Sequence, residues 1–147
     1  MKVVHLVVGV LAIGLMAAAG GWGVWCWWRV RQSRWFWILL RAAQAVIVVQ
    51  IALGGVLVLL GHKPSDLHVL YGLLPVLVSF VAEQLRIAAA QMVLDSRGFE
   101  SAAEVGKLGD EDQRAVVVAI VQREIGVMAL AAVVIVALLA RAAGTAG

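Results

Sequence analysis

One cysteine, Cys26, stands in the whole chain, so no intramolecular disulfide is available and a CxxC redox or zinc motif is excluded. Lysine is rare, and charged residues make up only 14% of the 147 positions. No nucleophile–base constellation, phosphate-binding loop or pair of catalytic carboxylates can be identified, so enzyme activity is not expected. There is no internal repeat and no low-complexity tract. Four apolar runs leave no room for a separate soluble domain: about Val3–Trp25, Trp35–Leu60, Leu67–Ala90 and Ala115–Ala140.

Each run is near or above the ~20 residues with which an α-helix crosses ~30 Å of hydrocarbon. Hydrophobic residues reach 63% and the mean hydropathy is +0.98, outside the range of soluble domains. The expected fold is all-α: a polytopic membrane protein forming an antiparallel four-helix transmembrane bundle. Its helices fall at about 3–28, 34–60, 66–97 and 111–141, with a short amphipathic cytoplasmic segment at about 101–107. A composition dominated by Ala, Val, Leu, Gly and Arg suggests a GC-rich bacterial genome and hence a bacterial cell membrane. The net charge of +3 does not point to nucleic acid, because the basic residues sit beside the spans.

The first run imitates a signal peptide, with Met1-Lys2, an apolar stretch and Ala17-Ala18-Ala19. Its leading region carries a single charge, however, and the apolar stretch continues through Gly21–Trp28 into Arg29, Arg31 and Arg34. A positive block after a first span holds that side in the cytoplasm, which favours a retained helix.

The first loop, with Arg41 just inside the second helix, is the most basic part of the chain. The third loop carries Arg97, Lys107 and Arg114, the second only Lys63, and the tails Lys2 and Arg141. The positive-inside rule then places loops one and three in the cytoplasm and both termini outside. Trp22, Trp25, Trp27, Trp28 and Trp35 crowd around the first loop, and Trp37 follows. Indoles prefer the headgroup layer, so these tryptophans with Arg29, Arg31 and Arg34 read as interface anchors. Stacking on nucleic acid is the weaker reading of that Trp–Arg mixture.

Loop chemistry marks the helix ends. Ser33 is a candidate N-cap, Gly61 a stop, Pro64-Ser65-Asp66 a start and Gly98 a C′ residue. Ser101 with Glu104 reads as a capping box opening the surface segment. Asp110-Glu111-Asp112-Gln113 puts acids on the positive end of the last helix.

Helices three and four carry charges that an apolar span tolerates only when paired, turned inward or at the interface. In an antiparallel hairpin, facing residues have a nearly constant sum of residue numbers. That register opposes Arg86 to Glu124, Asp95 to Arg114 and Glu83 to Arg123, while Glu83 also reaches Arg86 along its own helix. A structural charge network is expected from Glu83, Arg86, Asp95, Arg114, Arg123 and Glu124, with Arg41 and Gln44 at similar depth. It would lie where helices three and four extend into the cytoplasm. The functional alternative is a proton or ion path through Glu83, Arg86, Arg123 and Glu124.

His5, His62 and His68 all fall at the extracytoplasmic end. Two helices presenting imidazoles at equal depth satisfy what haem ligation requires. His5, Gly9, Ala12, Met16, Ala19 and Gly23 share one smooth face of helix one. His68, Gly72, Pro75, Ser79 and Arg86 share a side of helix three, where Pro75 frees the carbonyl of Tyr71 and favours a bend. The opposing reading treats the histidines as interfacial and the small residues as packing surface. Cys26 lies at the other face of the membrane and completes no site with them.

The stretch Gln50-Ile-Ala-Leu-Gly-Gly-Val, a short Pro-containing loop and Leu67-His68-Val-Leu (about Gln50–Leu70) resembles the haem-ligating helix–loop–helix of haem A synthases. There a Gln-x-x-Leu-Gly segment precedes a His-Leu helix start whose histidine ligates haem. The resemblance implies a ligand role for His68 and, by position in the preceding helix, for His5. The order here is Leu-His, and four helices are half the family's number, so haem A synthesis does not carry over.

The leading expectation is a small non-catalytic membrane protein, an accessory or assembly component of a membrane complex. Its partners would be the lipid bilayer and a membrane protein or further copies of itself, not nucleic acid. One alternative is a haem-binding electron-transfer or haem-handling protein with haem b on His5 and His68. The other is a small oligomeric transporter or channel using the charged band.

Overall fold

The computed structural model describes residues 1–145, which fold into helices without a strand. They are α1 (Lys2–Trp28), α2 (Arg34–Leu59), α3 (Asp66–Ser96), α4 (Ala102–Val105) and α5 (Asp110–Gly144). All but α4 are long and apolar enough to cross a membrane.

Local chemistry sets the ends. Ser33 caps α2 by accepting from the Phe36 amide at 3.4 Å, and Ser65 caps α3 by accepting from the His68 amide at 3.2 Å. Three helices finish on the same pair of crossed hydrogen bonds, the Schellman arrangement. Gly61 and His62 bond back to the carbonyls of Val58 and Leu57, and Gly98 and Phe99 to those of Asp95 and Leu94. In α1 the same bonds run from Val30 to Trp27 and from Arg31 to Cys26. The motif needs a left-handed residue, supplied by Gly61 (φ +87°) and Gly98 (φ +77°). At the end of α1 it is Val30 (φ +51°), a β-branched side chain in a region that only glycine enters freely.

Two expected ends shift. The surface segment shrinks to the single turn Ala102–Val105, and its capping box is incomplete. Ser101 makes no side-chain cap bond, while the Glu104 carboxylate accepts from the Glu100 amide at 2.9 Å, one residue early. At the other end, α5 continues past position 141 to Gly144. α3 runs unbroken through Pro75.

α5 is the spine. It packs along both α3 and α1, α1 packs in turn along α2, and α2 touches α3 only slightly. Neighbours run in opposite senses: His5 reaches Gln50 where Trp22 reaches Ser33, and His68 meets Ala142 where Arg86 meets Glu124. The core mixes Ala12, Ala19, Ala43, Ala129 and Ala132 with Met16, Phe36, Leu40, Ile125, Met128 and Ile135, all buried. Small residues let helix backbones approach closely. The face of α1 bearing His5, Gly9, Ala12, Met16, Ala19 and Gly23 is this packing face: the last four are buried and the first two half-buried.

A second, smaller core closes the far end of the α3–α5 pair. Leu94, Val105 and Val116 are buried together, with Phe99, Leu108 and Ile120 against them. Val105 is the one buried residue of α4, so that turn exists by seating a valine on the two long helices.

Candidate functional site

His5 lies in the first turn of α1 and His68 in the first turn of α3, and the bundle brings them together. Their ring centroids are 6.1 Å apart and the planes are tilted by 59°. His68 Nδ1 lies 2.9 Å from the carbonyl oxygen of Ala142 in the last turn of α5. A carbonyl only accepts, so Nδ1 carries a proton and donates. Ser65 secures the same corner, because its hydroxyl donates to the Thr145 carbonyl at 2.8 Å while capping His68. The Thr145 carbonyl is satisfied in this way, while the Ala142 carbonyl accepts from the Thr145 amide and hydroxyl as well as from His68.

His5 is held from α2. Its Nε2 lies 3.1 Å from Gln50 Nε2, so the amide donates and the imidazole accepts. His5 Nδ1 and Gln50 Oε1 are then both buried without a partner. Turning the amide over exchanges donor and acceptor, yet Nδ1 stays unpaired in either orientation. A buried polar atom without a partner costs about 1–3 kcal/mol, so this corner carries unused hydrogen-bonding capacity. Two glycines make the fit: a Cβ on Gly9 would stand 2.9 Å from Gln50 Nε2, and one on Gly54 3.3 Å from His5 Cε1. His62 is the residue after the left-handed Gly61, and its Nδ1 is also buried and unpaired.

The charged band is a second cluster, joining three helices. Arg41 of α2 pairs with Glu83 of α3 and donates to Gln44 Oε1 at 2.7 Å. Arg86 binds Glu83 Oε2 through Nε at 3.1 Å and Glu124 Oε1 of α5 through Nη1 at 3.4 Å. Both guanidiniums lie over the Trp37 ring, at 6.0 Å for Arg41 and 5.4 Å for Arg86. Two arginines and two glutamates make the quartet neutral, and it spans the edge where α2 and α3 otherwise barely meet.

Of the expected pairs, Arg86–Glu124 and Glu83–Arg86 form. The Glu83–Arg123 and Asp95–Arg114 pairs do not occur among the described residues. Glu83 gives one oxygen to Arg41 and the other to Arg86, which leaves none for Arg123, exposed on α5. Asp95 accepts instead from Gln91 Nε2 at 2.8 Å, one turn back on its own helix, and Arg114 stays exposed.

The tryptophan–arginine cluster gathers at the α1–α2 turn. Trp22 Nε1 donates to Ser33 Oγ at 2.8 Å, Trp22 and Trp25 stack with centroids 5.0 Å apart, and Arg31 lies 5.5 Å over Trp25. Trp28 and Trp35 are among the most exposed large side chains (82% and 67%), and Arg29 and Arg34 are exposed with them. Trp27 rests on Gly126 of α5.

Sequence reasoning does not assign Gln50 as the partner of His5, or the end of α5 as the support of His68. Both contacts are long-range and leave no local pattern. Arg41 is legible as a lone charge in an apolar helix, but its choice of Glu83 depends on helix order. No protein-family model, curated protein or solved structure matches the chain.

Proposed function

We propose that the chain is a small non-catalytic integral membrane protein of the bacterial cell membrane, acting as an accessory or assembly component of a membrane complex. In this reading the four long helices form an antiparallel transmembrane bundle with both termini extracytoplasmic. The observation that carries it is where the apolar surface lies. The core mixes alanines with larger residues such as Met16, Phe36, Leu40, Ile125 and Ile135, while many further leucines, valines and isoleucines cover the outside of the long helices, as at Leu6, Val10, Val48, Leu59, Leu77, Ile87 and Val133. Continuous apolar surface of that extent is stable only against lipid or another helix. The sparse α2–α3 contact offers an open lateral edge for such a helix, from a partner or from a second copy. The test is purification in mild detergent after alkaline carbonate washing of membranes. A chain that stays in the membrane pellet and co-elutes with one membrane partner, or as a defined oligomer, supports the reading. A chain that washes off, or elutes alone as a monomer, overturns it.

The second reading is haem binding on His5 and His68, in line with the resemblance to haem A synthases. It is favoured by the meeting of the two rings. An imidazole whose Nδ1–H is fixed on a carbonyl, as in His68, is the usual form of a ligating histidine. His5 and His68 would hold a haem b, provided Gln50 releases His5 Nε2, and the haem would supply one-electron redox chemistry. A reduced-minus-oxidised spectrum of protein from haem-replete cells decides it. Sharp bands lost in His68→Ala support ligation, and a colourless folded protein rejects it.

A further inference from the structure

The turn between α1 and α2 carries positive charge with no counter-charge of its own. No acidic residue precedes Asp66 in the sequence. The ion pairs among the described residues use Arg41 and Arg86, and none involves Arg29, Arg31 or Arg34. Beside these arginines lies an open hollow of about 270 Å³, lined by Trp22, Trp25, Arg31, Ser33, Arg34 and Trp35 among others.

The hollow is pre-arranged rather than loose. Trp22 is tied to Ser33 and stacked on Trp25, and Arg31 is held over the Trp25 ring. Ser33 Oγ accepts from both the Trp22 indole and the Phe36 amide, and its own proton has no acceptor among the described residues. One wall is thus aromatic, and beside it stand two guanidiniums and a hydroxyl donor. That combination asks for a ligand with an anion at one end and apolar surface at the other. A free phosphate would meet the arginines but leave three indoles uncovered.

We propose that this hollow is a binding site for an anionic phospholipid, with Arg31 and Arg34 on the phosphodiester oxygens. The Ser33 hydroxyl donates to the same phosphate, and Trp22, Trp25 and Trp35 cover the glycerol and the first carbons of the acyl chains. Guanidiniums bind phosphate oxygens through charge-assisted hydrogen bonds, and basic pockets between spans recognise anionic headgroups by this chemistry. The site rests on the reading that this end of the bundle lies at a membrane surface.

The test uses the full chain in nanodiscs of equal phosphatidylcholine and phosphatidylglycerol, followed by gentle release and native mass spectrometry of retained lipid. The wild type is expected to retain phosphatidylglycerol over phosphatidylcholine by about tenfold or more, the scale that two juxtamembrane arginines supply. Arg31→Ala/Arg34→Ala should abolish that preference, and Arg141→Ala at the opposite end should preserve it. Should the double variant lose its helical circular dichroism, Arg34→Gln at the exposed start of α2 carries the same expectation with a smaller drop. Equal retention of the two lipids by the wild type overturns the proposal, as does a preference untouched by the arginine changes. Displacement of the retained lipid by millimolar inorganic phosphate assigns the site to the free anion and likewise overturns the lipid. Failure to stay in carbonate-washed membranes would instead count against the membrane reading itself, and is read before any lipid is weighed.

Discussion

Gly23 of α1 and the ring of Phe36 of α2 occupy adjoining space with no margin. A Cβ on Gly23 would overlap the Phe36 ring and stand 2.9 Å from the Ala129 Cβ of α5. Three helices therefore meet at a position where only hydrogen fits. Gly23→Ala should destabilise the bundle by about 1–3 kcal/mol, the usual range for overpacking a filled core. A Cβ added to Gly14 or Gly21 would meet nothing within 4 Å, so alanine there should be neutral or stabilising by up to about 1 kcal/mol. Thermal unfolding of the three variants in one detergent separates them; equal melting temperatures would contradict this packing.

Val30 holds a left-handed backbone that glycine adopts at the ends of α2 and α3. Relief of that conformation is worth about 1–2 kcal/mol, less what glycine adds in unfolded-chain entropy. Val30→Gly is expected to raise the melting temperature, with a net gain of about 1 kcal/mol. A lower melting temperature would mean that the valine side chain contributes more than the backbone loses.

Glu83 is the shared acceptor of Arg41 and Arg86, and their side chains are only partly screened by solvent. Glu83→Gln removes the charge both guanidiniums face. The expected loss is about 1–3 kcal/mol, between that of an exposed pair and that of a buried one. Because Arg41 is the outer partner, Arg41→Gln in the Glu83→Gln background should cost less than in the wild type. A double-mutant cycle with coupling near zero would show that the bridge across α2 and α3 contributes no stability.

Ser65 joins the start of α3 to the end of α5, capping His68 while donating to Thr145. Ser65→Ala should cost about 1 kcal/mol, the usual value of a lost cap. It should also speed amide hydrogen exchange in the first turn of α3, where the His68 amide loses its acceptor. Unchanged exchange there would remove the cap from the account.

Much of the fold is legible along the chain because its determinants are local. An apolar run long enough for a membrane must satisfy its backbone internally, and a helix is the way to do so within one segment. Ser33, Ser65, Gly61 and Gly98 act on amides and carbonyls within a few residues of themselves, so their roles can be read from position. Ser101 departs from its expected role because only one turn of α4 stands behind it, and the Glu104 carboxylate reaches the preceding amide instead. Val30 gives no signal, because nothing in its residue type announces a left-handed turn.

The candidate site divides along the same line. A face of α1 with small residues and His5, and a helix start bearing His68, follow from the 3.6-residue period alone. That His5 meets Gln50, that His68 is fixed by the last turn of α5, and that Glu83 takes Arg41 rather than Arg123 follow from which helices become neighbours. Four long apolar helices, most of their ends and their packing stripes can be read along the chain, since hydropathy, caps and periodicity act over one or two turns. That α5 is the spine, that α2 and α3 meet through a charged bridge, and that two histidines far apart in the chain share one corner follows from how the helices pack in three dimensions. Those outcomes rest on contacts between helices, such as Gly23 against Phe36 and Ala129, that have no expression along a single helix.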